Sequence, residues 1–249
     1  MHGILGSGAN WRTFAKNVVA DVPTYGGVLV DLRLHGESQN IPPPHTVHAA
    51  AEDVRALVAS LPGPATAMLA HSFGGKVALD YARNAPDLQH LFVVDATPGP
   101  RPDARGSEST RHIVELLRDL PSEFADRNAF TTWIEARGVT RPIAMWLAMN
   151  VRPLPNTTRF VFRVDIEGIR ALLDDYFRVD LWDVLESPSP PKVHLIVGGK
   201  SGVVDAADQA RARAAPNATL DLIEDAGHWV HADSPDALRQ RVVAQLEDT

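Results

Sequence analysis

The sequence predicts an α/β fold: a mostly parallel sheet with helices on both faces and an inserted helical cap. Two observations lead there. Short apolar runs with the length of buried strands alternate with stretches of helical periodicity. That alternation stops over residues 100–185, where the pattern is helical only, and then resumes. Residues 1–99 and 186–249 are therefore assigned to the α/β core, and residues 100–185 to the cap.

A chain of 249 residues with 45% hydrophobic content can bury one α/β core. Its net charge of −7 recommends neither a nucleic acid nor an anionic membrane as partner. With no cysteine, disulfides and thiolate metal sites are excluded. No cofactor or metal is expected. No apolar run approaches the roughly 18 residues of a membrane span. No leader or lipidation motif is recognised, so a soluble intracellular location, cytoplasm or organelle, is expected.

The chain opens with His2-Gly3-Ile4-Leu5-Gly6-Ser7-Gly8, followed by Asn10, Trp11 and a helical stretch. A Gly-rich bend ahead of a helix can turn a backbone N–H toward an oxyanion. Residues 27–31 form a short apolar run that predicts a strand ending at Asp31. The loop after it holds His35, expected to be structural. Thr46 is a plausible N-cap for a helix to Ser60, with Val47, Ala50, Ala51 and Val54 inward.

The stretch Ala65-Thr66-Ala67-Met68-Leu69 then leads through Ala70-His71-Ser72-Phe73-Gly74-Gly75 into a helix carried by Val77, Ala78, Tyr81 and Ala82. This is strand, sharp turn and helix with a serine at the apex, a variant of the nucleophile elbow. Ala70 and Gly74 are small enough for the turn. The Phe73 N–H would face a developing oxyanion at a helix N-terminus. The plain alternative is a serine N-cap on an ordinary βα unit.

Residues 89–95 predict the next strand, ending in Asp95. In an open α/β sheet, chemistry gathers at the carboxyl ends of strands, where Ser72 and Asp95 both fall. Helices are expected around residues 110–120, 128–137, 141–149 and 166–174, with Trp133, Met145, Trp146 and Met149 among their apolar residues. Such residues can line an acyl pocket, although each alone is more simply core. Strands ending at Gly198 and Ile223 follow, with Ser201 and Asp205 in the loop between them and a closing helix from Ser234. His228 lies behind Gly227 after the last strand and is the expected base, with His231 in reserve.

Taken together, His2-Gly3-Ile4-Leu5-Gly6-Ser7, Asp31-Leu32-Arg33-Leu34-His35-Gly36-Glu37-Ser38, His71-Ser72-Phe73-Gly74-Gly75-Lys76, Val94-Asp95-Ala96-Thr97-Pro98 and Gly227-His228-Trp229-Val230-His231 resemble the α/β-hydrolase fold. More narrowly, the chain resembles YbfF-type esterases and abhydrolase-domain-eleven proteins. The resemblance implies a cofactor-free esterase in which Ser72 attacks, His228 moves the proton and Asp95 orients it. Phe73 with Ile4 or Leu5 would form the oxyanion hole, and Ser201 would support the acid. Asp205 is the alternative acid, better explained as a helix start. The resemblance also implies strands upstream of His2 that this sequence does not carry, one of them between the strands ending at Asp31 and Leu69.

The expected function is hydrolysis of a small-molecule or lipid-like acyl ester or thioester. The alternatives are C–C bond or lactone hydrolysis on the same three residues, and a catalytically weak ligand-binding protein of this fold.

Overall fold

The computed structural model describes residues 1–189 and 191–247. Helices α1 (Arg12–Asp21) and α2 (Val47–Ala59) precede strand β1 (Ala67–His71), helix α3 (Phe73–Ala82) and strand β2 (His90–Val94). Helices α4 (Glu108–Leu117), α5 (Arg127–Glu135) and α6 (Arg141–Leu147) follow. Then come strands β3 (Val151–Pro153) and β4 (Phe160–Phe162), and helices α7 (Ile166–Tyr176) and α8 (Trp182–Glu186). The chain closes with β5 (Lys192–Gly198), α9 (Ala206–Ala214), β6 (Ala218–Ile223), α10 (Val230–Asp233) and α11 (Pro235–Glu247).

The main sheet runs β1-β2-β5-β6 with every pairing parallel. Side chains alternate across it, as the period of two demands. Leu91, Val93, Leu195 and Val197 pack in the cluster that holds α2 and α3. Phe92, Val94 and Ile196 pack with Leu238 and Val242 of α11. Both faces are covered, as a parallel sheet requires. The carboxyl ends of β1, β2 and β5 thereby converge on one edge.

Two expectations are corrected. The run at residues 27–31 forms no ladder. A strand needs a neighbour, and β1 has none on that side. A trough of about 690 Å³ separates Val28 and Val30 from Ala65–Leu69. Val28 and Leu29 are left 55% and 39% exposed. Met1 reaches into the gap: its ammonium donates to Leu69 O at 2.5 Å, and His71 N–H donates to Met1 O at 3.2 Å. Second, the segment between β2 and β5 is not purely helical. Strands β3 and β4 pair antiparallel within it, with Val151 opposite Phe162.

Candidate active site

Ser72 stands between the last residue of β1 and the first of α3 with φ +53° and ψ −120°. That left-handed backbone is uncommon for a non-glycine residue and stores strain. Here it is held from both sides. Ser72 N–H donates to Val94 O at 3.0 Å, and Gly75 N–H donates to Ser72 O at 2.8 Å. Gly74 is required by crowding, because a Cβ there would lie 2.5 Å from the His2 carbonyl oxygen.

The elbow aims Ser72 Oγ at His228, whose Nε2 lies 3.1 Å away. On the other side of the ring, His228 Nδ1 lies 2.7 Å from Asp95 Oδ2. Asp95 is fully buried at the end of β2. Its carboxylate also accepts Ser201 Oγ–H at 2.6 Å and Gly198 N–H at 3.0 Å. A buried carboxylate with three donors is compensated for its lost hydration. With Asp95 accepting at Nδ1, His228 presents a free Nε2 lone pair to the serine. The expected residues Ser72, Asp95, His228 and Ser201 thus meet in one hydrogen-bonded chain.

Asp205 lies outside that chain. Its side chain caps α9 through Asp208 N–H at 2.9 Å and pairs with Arg101 and Arg105. His231 likewise makes no hydrogen bond to Ser72; it stacks on Trp11 at 4.2 Å, and burial holds its pKa down at about 4.

Two backbone donors are free beside the serine. Among the described residues, neither Ile4 N–H nor Phe73 N–H has a protein acceptor. Phe73 opens α3, so its N–H is one of the helix's unsatisfied donors. Leu5 is different: its N–H donates to His35 Nε2 at 2.9 Å. That bond removes Leu5 from the expected oxyanion donors.

His35 was expected to be structural, whereas sequence reasoning left His2 and Lys76 without an individual part. His2 Nε2 accepts Leu32 N–H at 3.0 Å, while its Nδ1–H donates to Gly3 O at 2.8 Å. His35 Nδ1–H donates to Arg33 O at 2.8 Å. Burial drives both rings toward the neutral form, His2 well below the usual histidine range and His35 to about 4. Lys76 is fully buried in α3 and donates to Gly99 O, Tyr176 O and Val179 O at 2.8, 2.7 and 3.1 Å. The sequence showed Lys76 only as the end of the elbow stretch and as a cation in a helix that, Asp80 aside, carries no other charge.

A cavity of about 670 Å³ opens over Ser72 and His228. Ile113 of α4, Ile143 and Trp146 of α6, and Trp229 give it apolar walls. Among the described residues no helix is long and apolar enough to cross a membrane, and no group of acidic or histidine side chains is arranged to hold a metal.

The alpha/beta hydrolase family pattern matches residues 1–241. The sn-1-specific diacylglycerol lipase ABHD11 of Xenopus laevis is 30% identical over 247 residues, covering 94% of this chain and 74% of that protein. Esterase YbfF of Escherichia coli is 27% identical and is covered over 92% of its length. Among solved structures, a marine-microorganism esterase superposes with a TM-score of 0.83 at 24% identity, covering 98% of this chain and 92% of that one. The Mycobacterium tuberculosis esterase Rv0045c gives 0.75 at 26% identity, covering 99% and 83%. By the extent of these matches, the chain belongs to the alpha/beta hydrolase family.

Proposed function

We propose that this ester-bond hydrolase cleaves carboxylic esters or thioesters of an apolar acyl group, with Ser72 as nucleophile, His228 as base and Asp95 as orienting acid. The observation that carries the reading is the line Ser72 Oγ, His228 Nε2, His228 Nδ1, Asp95 Oδ2, with separations of 3.1 and 2.7 Å. The lipase and esterase relatives support the class of bond. The apolar walls over Ser72 support an apolar acyl group and a lipid-like substrate.

In this mechanism Ser72 Oγ attacks the acyl carbon while its proton passes to His228 Nε2. The carbonyl oxygen, now negative, takes hydrogen bonds from Phe73 N–H and Ile4 N–H. Collapse breaks the bond to the leaving alcohol or thiol, which takes the proton from Nε2. Water repeats the sequence, giving its proton to Nε2 as its oxygen attacks, and the acid is released with Ser72 restored.

The test is a panel of p-nitrophenyl esters and acyl thioesters with a fluorophosphonate probe. Ser72→Ala is expected to lose labelling and about 10⁴-fold or more in kcat. Activity within tenfold of the parent would remove Ser72 from the mechanism. Asp95→Asn is expected to lose about 10⁴-fold, and Asp205→Asn less than about tenfold. A crippled Asp205→Asn beside an active Asp95→Asn would overturn the assignment of the acid.

A further inference from the structure

Helix α6 has two occupied faces. Pro142, Ile143 and Trp146 face the cavity over Ser72, whereas Arg141 and Met145 line a second hollow of about 600 Å³ behind the helix. The second hollow has a distinct chemistry. Arg127, Arg141 and Arg152 line it, with Ser7, Asn128 and Thr131 among its polar residues, and no Asp or Glu does. Met145 and Met149, also in its lining, are 55% and 44% exposed.

The guanidiniums there are largely uncommitted. The Arg152 side chain, on a residue paired with Val161 in the ladder, makes no hydrogen bond or ion pair to any described residue. Arg127 spends only Nε, on Val151 O at 3.0 Å. Arg141 donates from one nitrogen to both Glu135 carboxylate oxygens at a long 3.4 Å and is 67% exposed. With a carboxylate beside Arg141 alone, the three like charges repel one another, and an anion relieves that repulsion. Arginine forks suit carboxylate and phosphate oxygens, taking two parallel N–H bonds each. The exposed methionines add a soft apolar flank that adapts to a short chain.

We propose that this hollow is a binding site for a phosphate-type anion carrying an apolar group. The site is separate from the cleft over Ser72, and its existence does not rest on the hydrolase reading. Hydrogen bonds join its lining to that of the cleft: Asn10 Nδ2–H donates to Met149 Sδ at 3.4 Å. Asn150, 9% exposed in the floor of the hollow, donates Nδ2–H to Leu5 O at 2.9 Å. The lining of the hollow is therefore one hydrogen bond from the loop that carries the Ile4 N–H.

The probe is hexyl phosphate, titrated calorimetrically into the full chain at constant ionic strength, with hexanol and inorganic phosphate as controls. Saturable binding of hexyl phosphate, tighter than phosphate and absent for hexanol, is expected. It should weaken about tenfold or more in Arg152→Gln, the loss of one bidentate charged contact. Arg141→Gln gives a second reading should the first variant not fold. Binding should persist after a fluorophosphonate has blocked Ser72. Vesicles of phosphatidylcholine with and without phosphatidylglycerol separate the two sources: retention on the anionic vesicles alone assigns a lipid headgroup, and hexyl phosphate binding without retention assigns a free ligand. The proposal is overturned if neither probe binds, if both arginine variants bind as the parent does, or if blocking Ser72 abolishes binding.

Discussion

Leu5 N–H donates to His35 Nε2 at 2.9 Å, across 30 positions of sequence. The bond fixes Leu5, at φ +61°, and so fixes the direction of the Ile4 N–H beside it. His35→Leu would leave that buried N–H without an acceptor, at a cost of about 1–3 kcal/mol. A lower Tm and a lower kcat at little-changed KM are expected, because a misaimed donor is felt mainly in the transition state. Full kcat in this variant would show that the loop needs no such brace.

Acid should unfold the protein through its histidines. Burial holds His35 and His231 at about 4 and pushes His2 and His71 well below the ordinary range. In the unfolded chain the same rings take up protons near pH 6.5. The unfolded state then binds more protons than the folded one. Stability is complete above about pH 6.5 and is lost as pH falls toward about 4. A loss of about 3 kcal/mol would lower Tm by roughly 10 °C between about pH 7 and 5. Calorimetry across that window checks it, and a flat Tm would contradict the buried neutral state.

Ser201 shares Asp95 Oδ2 with His228. Ser201→Ala takes one donor from the carboxylate, which then holds the imidazolium more tightly. The acid limb of kcat/KM should move to higher pH, with kcat down about tenfold, as for a hydrogen bond to a charged group. An unmoved limb would make the serine a bystander.

Lys76 ties α3 to the carbonyls of Gly99, Tyr176 and Val179. Three acceptors need three N–H groups, so the amine must be protonated there, although burial first and the Arg101 guanidinium next pull its pKa down to about 7. Lys76→Met would strand three carbonyls and cost about 3 kcal/mol, the penalty for removing one side of a buried charged contact. The urea midpoint should fall accordingly. An unchanged midpoint would show that the three carbonyls find other donors.

The open edge of β1 should accept a strand. Burial holds the Met1 ammonium down at about 5, because a charge at that position has lost its water. An upstream extension of roughly 20–30 residues, ending in an apolar strand, would place an amide there and cover Val28 and Leu29. Such a chain is expected to melt higher and turn over esters faster. Equal Tm and rate in both forms would show that the trough costs nothing.

The elbow, the strand ends and His228 were legible because each is a local signal. Turn chemistry around Ser72 depends on residues two positions away, and Asp95 is placed by the length of its own strand. Residues 27–31 have strand composition, yet pairing is a property of neighbours, and none is present. Strands β3 and β4 span three residues each, with Arg152 and Pro153 in one of them, too short to show a period. His35 was legible as structural, but its partner at Leu5 was not, because the pairing exists only once the fold brings two loops together.

One further bond changes how the enzyme can be re-engineered. His71 donates Nε2–H to His228 O at 2.8 Å. The residue before Ser72 thus grips the backbone of His228, tying together the two side chains proposed to react. The walls made by Ile113, Ile143 and Trp146 hang from other elements. Substrate choice and proton transfer are therefore separable inheritances: the walls are free to drift while the reacting pair keeps its spacing.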